Sequence, residues 1–270
     1  MVAMYWGTAM AALNPDPEPA RTESISSWAA AQLIAPRSGE RARVSRRCFR
    51  LGRKATLGML VLGDAHASDS DRRETLLAYY RAIDPDRVLQ VGDLEHYDLP
   101  APTWFVAGNN EDLNVIDALR AGEDPDGTRN VHLLASTAAT IDGLRVGGLS
   151  GNHAPTKYDL SRAALSGDRR RHFTHEDVDR AAELSDIDVF LTHEAPTGLL
   201  WYGYDPGCEH VTDLLETVSP DLCLVGHHHQ HRAAEIAGTR VVSLAPAWER
   251  YYTLDPETLQ LTAHDRDSIE

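Results

Sequence analysis

From residue 59 onward, short apolar runs alternate with stretches whose apolar positions recur every three or four residues. "TLGMLVLG" (56–63), "RVLQVGD" (87–93) and "TWFVAGN" (103–109) are too short for helices, and each runs into a glycine and a polar residue. Continuous apolar runs of this length predict strands buried on both faces. A helix is predicted from Ser70, with Leu76, Leu77, Tyr80 and Ile83 along one side. "VHLLAS", "AATIDG" and "LRVGGLS" read as a meander, with Asp142-Gly143 as its hairpin turn. Further on, "HEDVDRAAEL" and "CEHVTDLLETV" predict helices, and "IDVFLTH" and "PDLCLVGH" predict strands. "TRVVSLAP", "RYYTLD" and "TLQLTAH" close the chain as strands. Crossover helices early and antiparallel strands late predict an α/β fold of two packed sheets with helices outside.

Residues 1–57 break this pattern. They show no sustained period and contain "NPDPEP" and the basic run "RSGERARVSRRCFRLGRK". They are expected to be a disordered or poorly ordered leader, or an artefactual start, ahead of a domain over 58–265. At 42% hydrophobic and 25% charged residues, the 270-residue chain has the composition of a soluble globular protein with room for a substantial core. No apolar run approaches the ~18 residues of a spanning helix, so no membrane partner is expected. The first residues lack the basic start of a secretion signal, which makes the cytoplasm the expected compartment. Cys48, Cys208 and Cys223 are scattered and odd in number, so idle thiols are expected rather than disulfides or a thiolate metal site.

Charge narrows the choice of partners. Residues 1–58 hold eight Arg and one Lys against four acids, a formal +5 within a total of −15, which leaves −20 on the remainder. Such a body repels phosphate backbones and disfavours nonspecific nucleic-acid binding.

The chemistry concentrates at the strand ends. "LVLGDAH" ends in Asp64 and His66, "LQVGD" in Asp93, "FVAGN" in Asn109, "VFLTH" in His193, and "LCLVGHHHQH" in a run containing His227 and His229. The carboxyl ends of strands in open α/β sheets form the ligand crevice. Five such ends carrying metal-ligand side chains are hard to explain as packing. In an extended segment, Asp64 and His66 point the same way, as do His227 and His229, with His228 turned to the opposite side. Gly63, Gly92, Gly108 and Gly226 precede the ligands, where the backbone must turn sharply or approach closely. Mixed carboxylate, amide and imidazole donors suit Mn²⁺, Fe or Zn²⁺.

These blocks resemble the calcineurin-like metallophosphoesterases, whose signature runs D-x-H, G-D, G-N-H-[DE], a lone His, and G-H-x-H. In this sequence they stand as Asp64-Ala-His66, Gly92-Asp93, Gly108-Asn109-Asn110-Glu111, His193 and Gly226-His227-His228-His229, all in order. A looser likeness joins "NVHLLAS…GLRVGGLSGNHAPTKYD" to the corresponding stretch of RNA lariat debranching enzymes. The resemblance implies a four-layer α/β/β/α sandwich of two mixed β-sheets flanked by helices. It also implies two divalent metal ions (Mn²⁺, Fe or Zn²⁺), one held by Asp64, His66 and His229, the other by Asn109, His193 and His227, with Asp93 between them. A hydroxide shared by the two ions would attack phosphorus in line.

One position departs from the pattern. Asn110 stands where most relatives carry a histidine that contacts the phosphate and can protonate the leaving oxygen. Asparagine donates a hydrogen bond but delivers no proton at neutral pH, and positioned acid catalysis contributes about 10²–10⁴-fold. His153, at the end of its own strand, is the candidate substitute; the alternative is a loop histidine outside the site. Asn152 is expected to be structural. His228 and His231 are expected behind the ligands or at the surface, and His96, His132, His172, His175, His210 and His264 at the surface. Arg169-Arg170-Arg171 reads as a solvated loop or as a rim that attracts a substrate phosphate. Trp201, Tyr202 and Tyr204 read as loop packing or as a platform for a nucleobase.

The expected activity is therefore metal-dependent hydrolysis of a small phosphodiester or nucleotide-like substrate. The rival is a metal-binding scaffold acting through protein interaction, and a third reading is a structure-specific RNA phosphodiesterase.

Overall fold

The computed structural model describes residues 58–200 and 202–269, within a unit that begins at Arg53. The leader expected over 1–57, Cys48 and Trp201 lie outside the described residues. Twelve described strands form two six-stranded mixed sheets. In the first sheet, β1 (Met59–Leu62), β2 (Val88–Gln90), β3 (Asp98–Phe105) and β4 (Arg129–Leu133) run parallel. There β11 (Arg250–Leu254) pairs antiparallel with β1, and β12 (Leu261–Asp265) pairs antiparallel with β11 at the edge. In the second sheet, β6 (Leu144–Leu149), β7 (Val189–Thr192), β8 (Leu222–Val225) and β10 (Thr239–Ser243) run parallel. It is edged by antiparallel β5 (Thr137–Ile141) and β9 (Arg232–Ile236).

Strand alternation builds the layers. Met59 and Val61 of β1 join Leu191 of β7 and Leu224 of β8 in the core between the sheets. Leu60 and Leu62 face outward onto α1 (Ser70–Ile83), whose Leu76, Tyr79 and Tyr80 are buried there. Phe190 and Cys223 likewise meet Val211, Leu214 and Leu215 of α4 (Glu209–Val218), and α3 (His175–Ala182) packs its Ala181 into the same outer core. The result is the four-layer α/β/β/α sandwich. Strands covered on both faces read as unbroken apolar runs, which is why they stand out in the sequence.

The Asp142-Gly143 hairpin forms as expected, with φ of 50° and 90°. The meander does not. Strand β4 pairs with β3, whereas β5 and β6 belong to the other sheet. The chain crosses between sheets at Ser136, whose φ of 58° turns its N–H onto Gly148 O at 2.8 Å, while Leu134 N still bonds Phe105 O. Besides short 3-10 turns, one helix and one strand escape the sequence pattern. Helix α2 (Leu113–Arg120) is only two turns long and buries Ile116 alone, and β9 is mostly exposed alanine and charge.

Candidate metal centre

Strands β1, β2 and β3 of one sheet and β7 and β8 of the other end at the same place. The two sheets are fastened there by hydrogen bonds. His193 Nδ1 donates to Val91 O at 2.9 Å, and His227 N donates to both oxygens of Asp64 at 3.0 and 3.1 Å. The glycines preceding the ligands make this approach possible. A Cβ on Gly92 would overlap His193 Nδ1, one on Gly108 would overlap Asp93 Oδ1, and Gly92 also adopts a φ of 103°. Past the strands the backbone does not stay extended. His66, Asp93, His227 and His229 are left-handed, with φ of 44°, 52°, 69° and 51°, a conformation that costs a non-glycine residue about 1–3 kcal/mol. The candidate ligands therefore converge through tight turns, not through the expected i, i+2 alternation. His228 accordingly does not swing clear; its ring lies 5.5 Å from that of His227.

One ligand atom each from Asp64, His66 and His229 lies within 4.8 Å of the others, and the same holds for Asp64, Asp93 and His193. His66 Nδ1 donates to Glu95 Oε1 at 2.6 Å, so its Nε2 lone pair faces His229 Nε2 at 3.4 Å. His229 Nε2 also lies 2.8 Å from Asp64 Oδ2. With His193 Nδ1 committed to Val91, its Nε2 lone pair faces Asn109 Oδ1 at 3.1 Å. Acceptor atoms turned toward one another at such distances need a cation or proton between them, and this donor set fits divalent metals. Asp93 Oδ2 stands 3.6 Å from both His66 Nε2 and His193 Nε2, midway between the two groups. His227, the remaining expected ligand, places its ring 4.9 Å from that of His193.

Burial and charge set the protonation states. Burial raises the Asp64 carboxyl, but the hydrogen bond to His229 and the charges of His193 and His229 outweigh it, so the net shift is downward. Burial also lowers His193, yet the charges of Asp64 and Asp93 leave it raised. His227 is pushed down to about 4 by burial and by His193 and His228, which keeps it neutral and able to ligate at pH 7.

Asn110 is committed to Asp93. Its backbone N–H donates to Oδ1 at 2.7 Å and its side-chain Nδ2 to Oδ2 at 2.8 Å. Buried Glu111 accepts from Leu94 N, Glu95 N and Tyr97 Oη, tying the Asp93 turn to the Asn109 turn. His153 is not brought to the ligands. Its ring packs among Tyr158, Phe173 and His210 at centroid distances of 5.7, 5.9 and 5.2 Å, and its Nε2 has no hydrogen-bond partner. Asn152 holds the neighbouring loop, its N–H donating to Arg171 O.

Two cavities open beside the ligands. One, of about 510 Å³, is lined by His66, Arg72, Glu95, Asn109, Asn110 and Arg171, among others. The other, of about 430 Å³, is lined by Asn109, Asn152, Asp168, Arg169, Arg171, His172 and His227. Asn109 and Arg171 belong to both. Sequence reasoning missed Glu95, Trp248 and His172 as site neighbours. Trp248 packs its ring 5.6 Å from His66 and 5.3 Å from His229, across 182 residues of chain from His66, and nothing local announces it. Tyr202 and Tyr204 are exposed.

Comparison with known proteins agrees with this geometry. The calcineurin-like phosphoesterase superfamily domain matches residues 57–251. The chain is similar to the lariat debranching enzyme of Entamoeba histolytica, 26% identical over 202 residues, covering 64% of this chain and 56% of that protein. It is also similar to the lariat debranching enzyme of Schizosaccharomyces pombe, 26% identical over 166 residues, covering 57% of this chain and 35% of that protein. The chain thus spans about half and about a third of the length of these two relatives. Among solved structures, TT1561 of Thermus thermophilus superposes with a TM-score of 0.56 at 18% identity, over 78% of this chain and 99% of that one. A further crystal structure reaches 0.58 at 15% identity, over 77% and 98%. Identities this low establish the fold alone. No described helix is long and apolar enough to cross a membrane. With candidate ligands in order at its strand ends, a two-sheet sandwich and a domain match over most of its length, the chain belongs to the calcineurin-like phosphoesterase superfamily.

Proposed function

We propose that this protein is a metal-dependent phosphodiester hydrolase working with two divalent cations. Asp64, His66 and His229 would hold one, and Asn109, His193 and His227 the other, with Asp93 shared. The observation that carries the reading is the position of Asp93 Oδ2, 3.6 Å from a histidine Nε2 of each group. Bound cations supply an activated water and neutralise charge on the phosphoryl oxygens.

The chain's own residues do the rest. Glu95 fixes the tautomer and direction of His66, and Val91 O does the same for His193. Asn110 anchors Asp93 with both of its N–H groups and does not reach for the leaving oxygen. The leaving-group proton then falls to the histidine that shares a cavity with Asn109 and His227, which is His172 rather than His153. Substrates with good leaving groups do without it. The test is turnover of bis-p-nitrophenyl phosphate with Mn²⁺, with and without chelator, in wild type and Asp93→Asn. Absence of metal-dependent turnover above that variant sinks the hydrolase reading and favours a scaffold.

A second reading, cleavage of a branched RNA phosphodiester, is supported by likeness to two lariat debranching enzymes and by the arginines lining the cavities. The −20 carried by residues 59–270 counts against it. Comparing branched with linear RNA in the same assay separates the two.

A further inference from the structure

Arginines are scarce partners in an acid-rich protein: 41 acids face 26 lysines and arginines. Among the described residues, nearly every arginine side chain holds a carboxylate or another protein oxygen. Arg170, for example, bonds Asp117 at 2.6 Å, and Arg162 bonds His172 O at 2.6 Å. Two do not. The guanidinium of Arg72 makes no hydrogen bond or ion pair with a described residue, and lies 4.1 Å over the Trp248 ring. That of Arg169 has no hydrogen bond or ion pair with a described residue either. Arg72 lines one cavity beside the ligands and Arg169 lines the other, while Arg171 sits where both cavities meet Asn109.

The acids on these walls are already engaged. Asp69 caps α1 through Asp71 N and Arg72 N, and Glu95 accepts from His66 and from Ser68 Oγ. Glu111 accepts from three backbone amides and Tyr97 Oη. In the second cavity, Asp168 lies 3.8 Å from Arg171 Nη2. Stacking on an indole orients a guanidinium without using its N–H groups, which stay available to a planar oxyanion. Arginine is suited to phosphate through its paired donors.

We propose that Arg72 and Arg169 determine specificity by gripping phosphoryl groups that flank the scissile one, so that this site selects phosphoesters carrying at least one further phosphate. The inference rests on the hydrolase reading for the position of the scissile phosphate. Its chemistry is shared by a polyphosphate chain and by phosphates separated by a sugar.

Calorimetry at fixed Mn²⁺ with adenosine 5′-monophosphate, 5′-diphosphate and 3′,5′-bisphosphate tests it. Wild type is expected to bind at least one doubly phosphorylated probe about tenfold or more tightly than the monophosphate, from one charge-assisted contact. Preference for the diphosphate indicates contiguous phosphates, and preference for the bisphosphate indicates phosphates across a sugar. Arg72→Ala or Arg169→Ala should erase that advantage, and Arg72→Lys should restore only part of it. Equal binding of all three probes by wild type, or an advantage that survives both alanine substitutions, overturns the proposal. Circular dichroism confirms that each variant is folded, and Arg72→Gln or Arg169→Gln replaces the corresponding alanine variant if it is not. Turnover of bis-p-nitrophenyl phosphate in the same wild-type preparation separates the failures. Without turnover but with the phosphate preference intact, the hydrolase reading falls and the arginine assignment stands.

Discussion

Two clusters of histidines lie close together in this domain and are built in opposite ways. Around Asp93, imidazole nitrogens are aimed at oxygens or at one another, with Nε2 of His66 and His229 3.4 Å apart. Around His153, rings meet through their faces and edges. Tyr158 and His210 stack at 3.8 Å with planes 8° apart, and His153 lies over Phe173. The first arrangement sets nitrogens and oxygens against one another so that a cation or proton must lie between them; the second buries ring surface. A histidine at a strand end is therefore not a ligand by virtue of its place in the chain. What decides is whether its nitrogens or its faces are presented to the neighbours.

Four substitutions or titrations test that contrast. The largest effect belongs to the aromatic cluster: Phe173→Ala should cost about 3–5 kcal/mol of stability, read by denaturant unfolding, because Phe173 is fully buried. Metal affinity of the folded fraction should not follow. Next, Asp93→Asn should lower metal-dependent turnover by about 10²–10³-fold, a size typical of lost electrostatic stabilisation at a reacting centre. A smaller drop would show that the two ligand groups work independently of the shared carboxylate.

Glu95→Gln should weaken metal binding by about 10–100-fold in a metal titration, with folding intact. If affinity is unchanged, the 2.6 Å bond to His66 is structural only. The smallest effect concerns His172, whose pKa is held below its ordinary 6.5 by burial, against the Asn152 carbonyl and together with the charges of Arg171, Lys157 and Arg162. A lowered pKa means that the protonated, acid-competent form accumulates only as pH falls below that value. The ratio of turnover on poor to good leaving groups should therefore rise as pH drops, and His172→Gln should flatten it. Taking the ratio cancels any common loss of metal at low pH.

The candidate ligand blocks were legible because each follows a largely buried apolar run that stops at a carboxylate, amide or imidazole side chain. The layers were legible for the same reason. What was hidden depends on the left-handed turns at His66, Asp93, His227 and His229, which no residue preference announces. Those turns decide that Glu95 reaches His66 and that His228 stays near His227. Trp248 and Arg72 meet only in three dimensions. The change of sheet between β4 and β5 turns on the conformation of Ser136, a residue that would read equally well in a plain meander.

The bond from His193 to Val91 O and those from His227 N to Asp64 join the terminal edges of the two sheets. Whatever fills the site therefore also clamps the halves of the sandwich together. By linkage, a cation present at a hundred times its dissociation constant adds about 2.7 kcal/mol to the folded state. The two buried carboxylates, Asp64 and Asp93, follow neighbouring strands of one sheet and meet His193, His227 and His229 of the other there. A cation held by these residues would fill the site and fasten the two sheets in a single event.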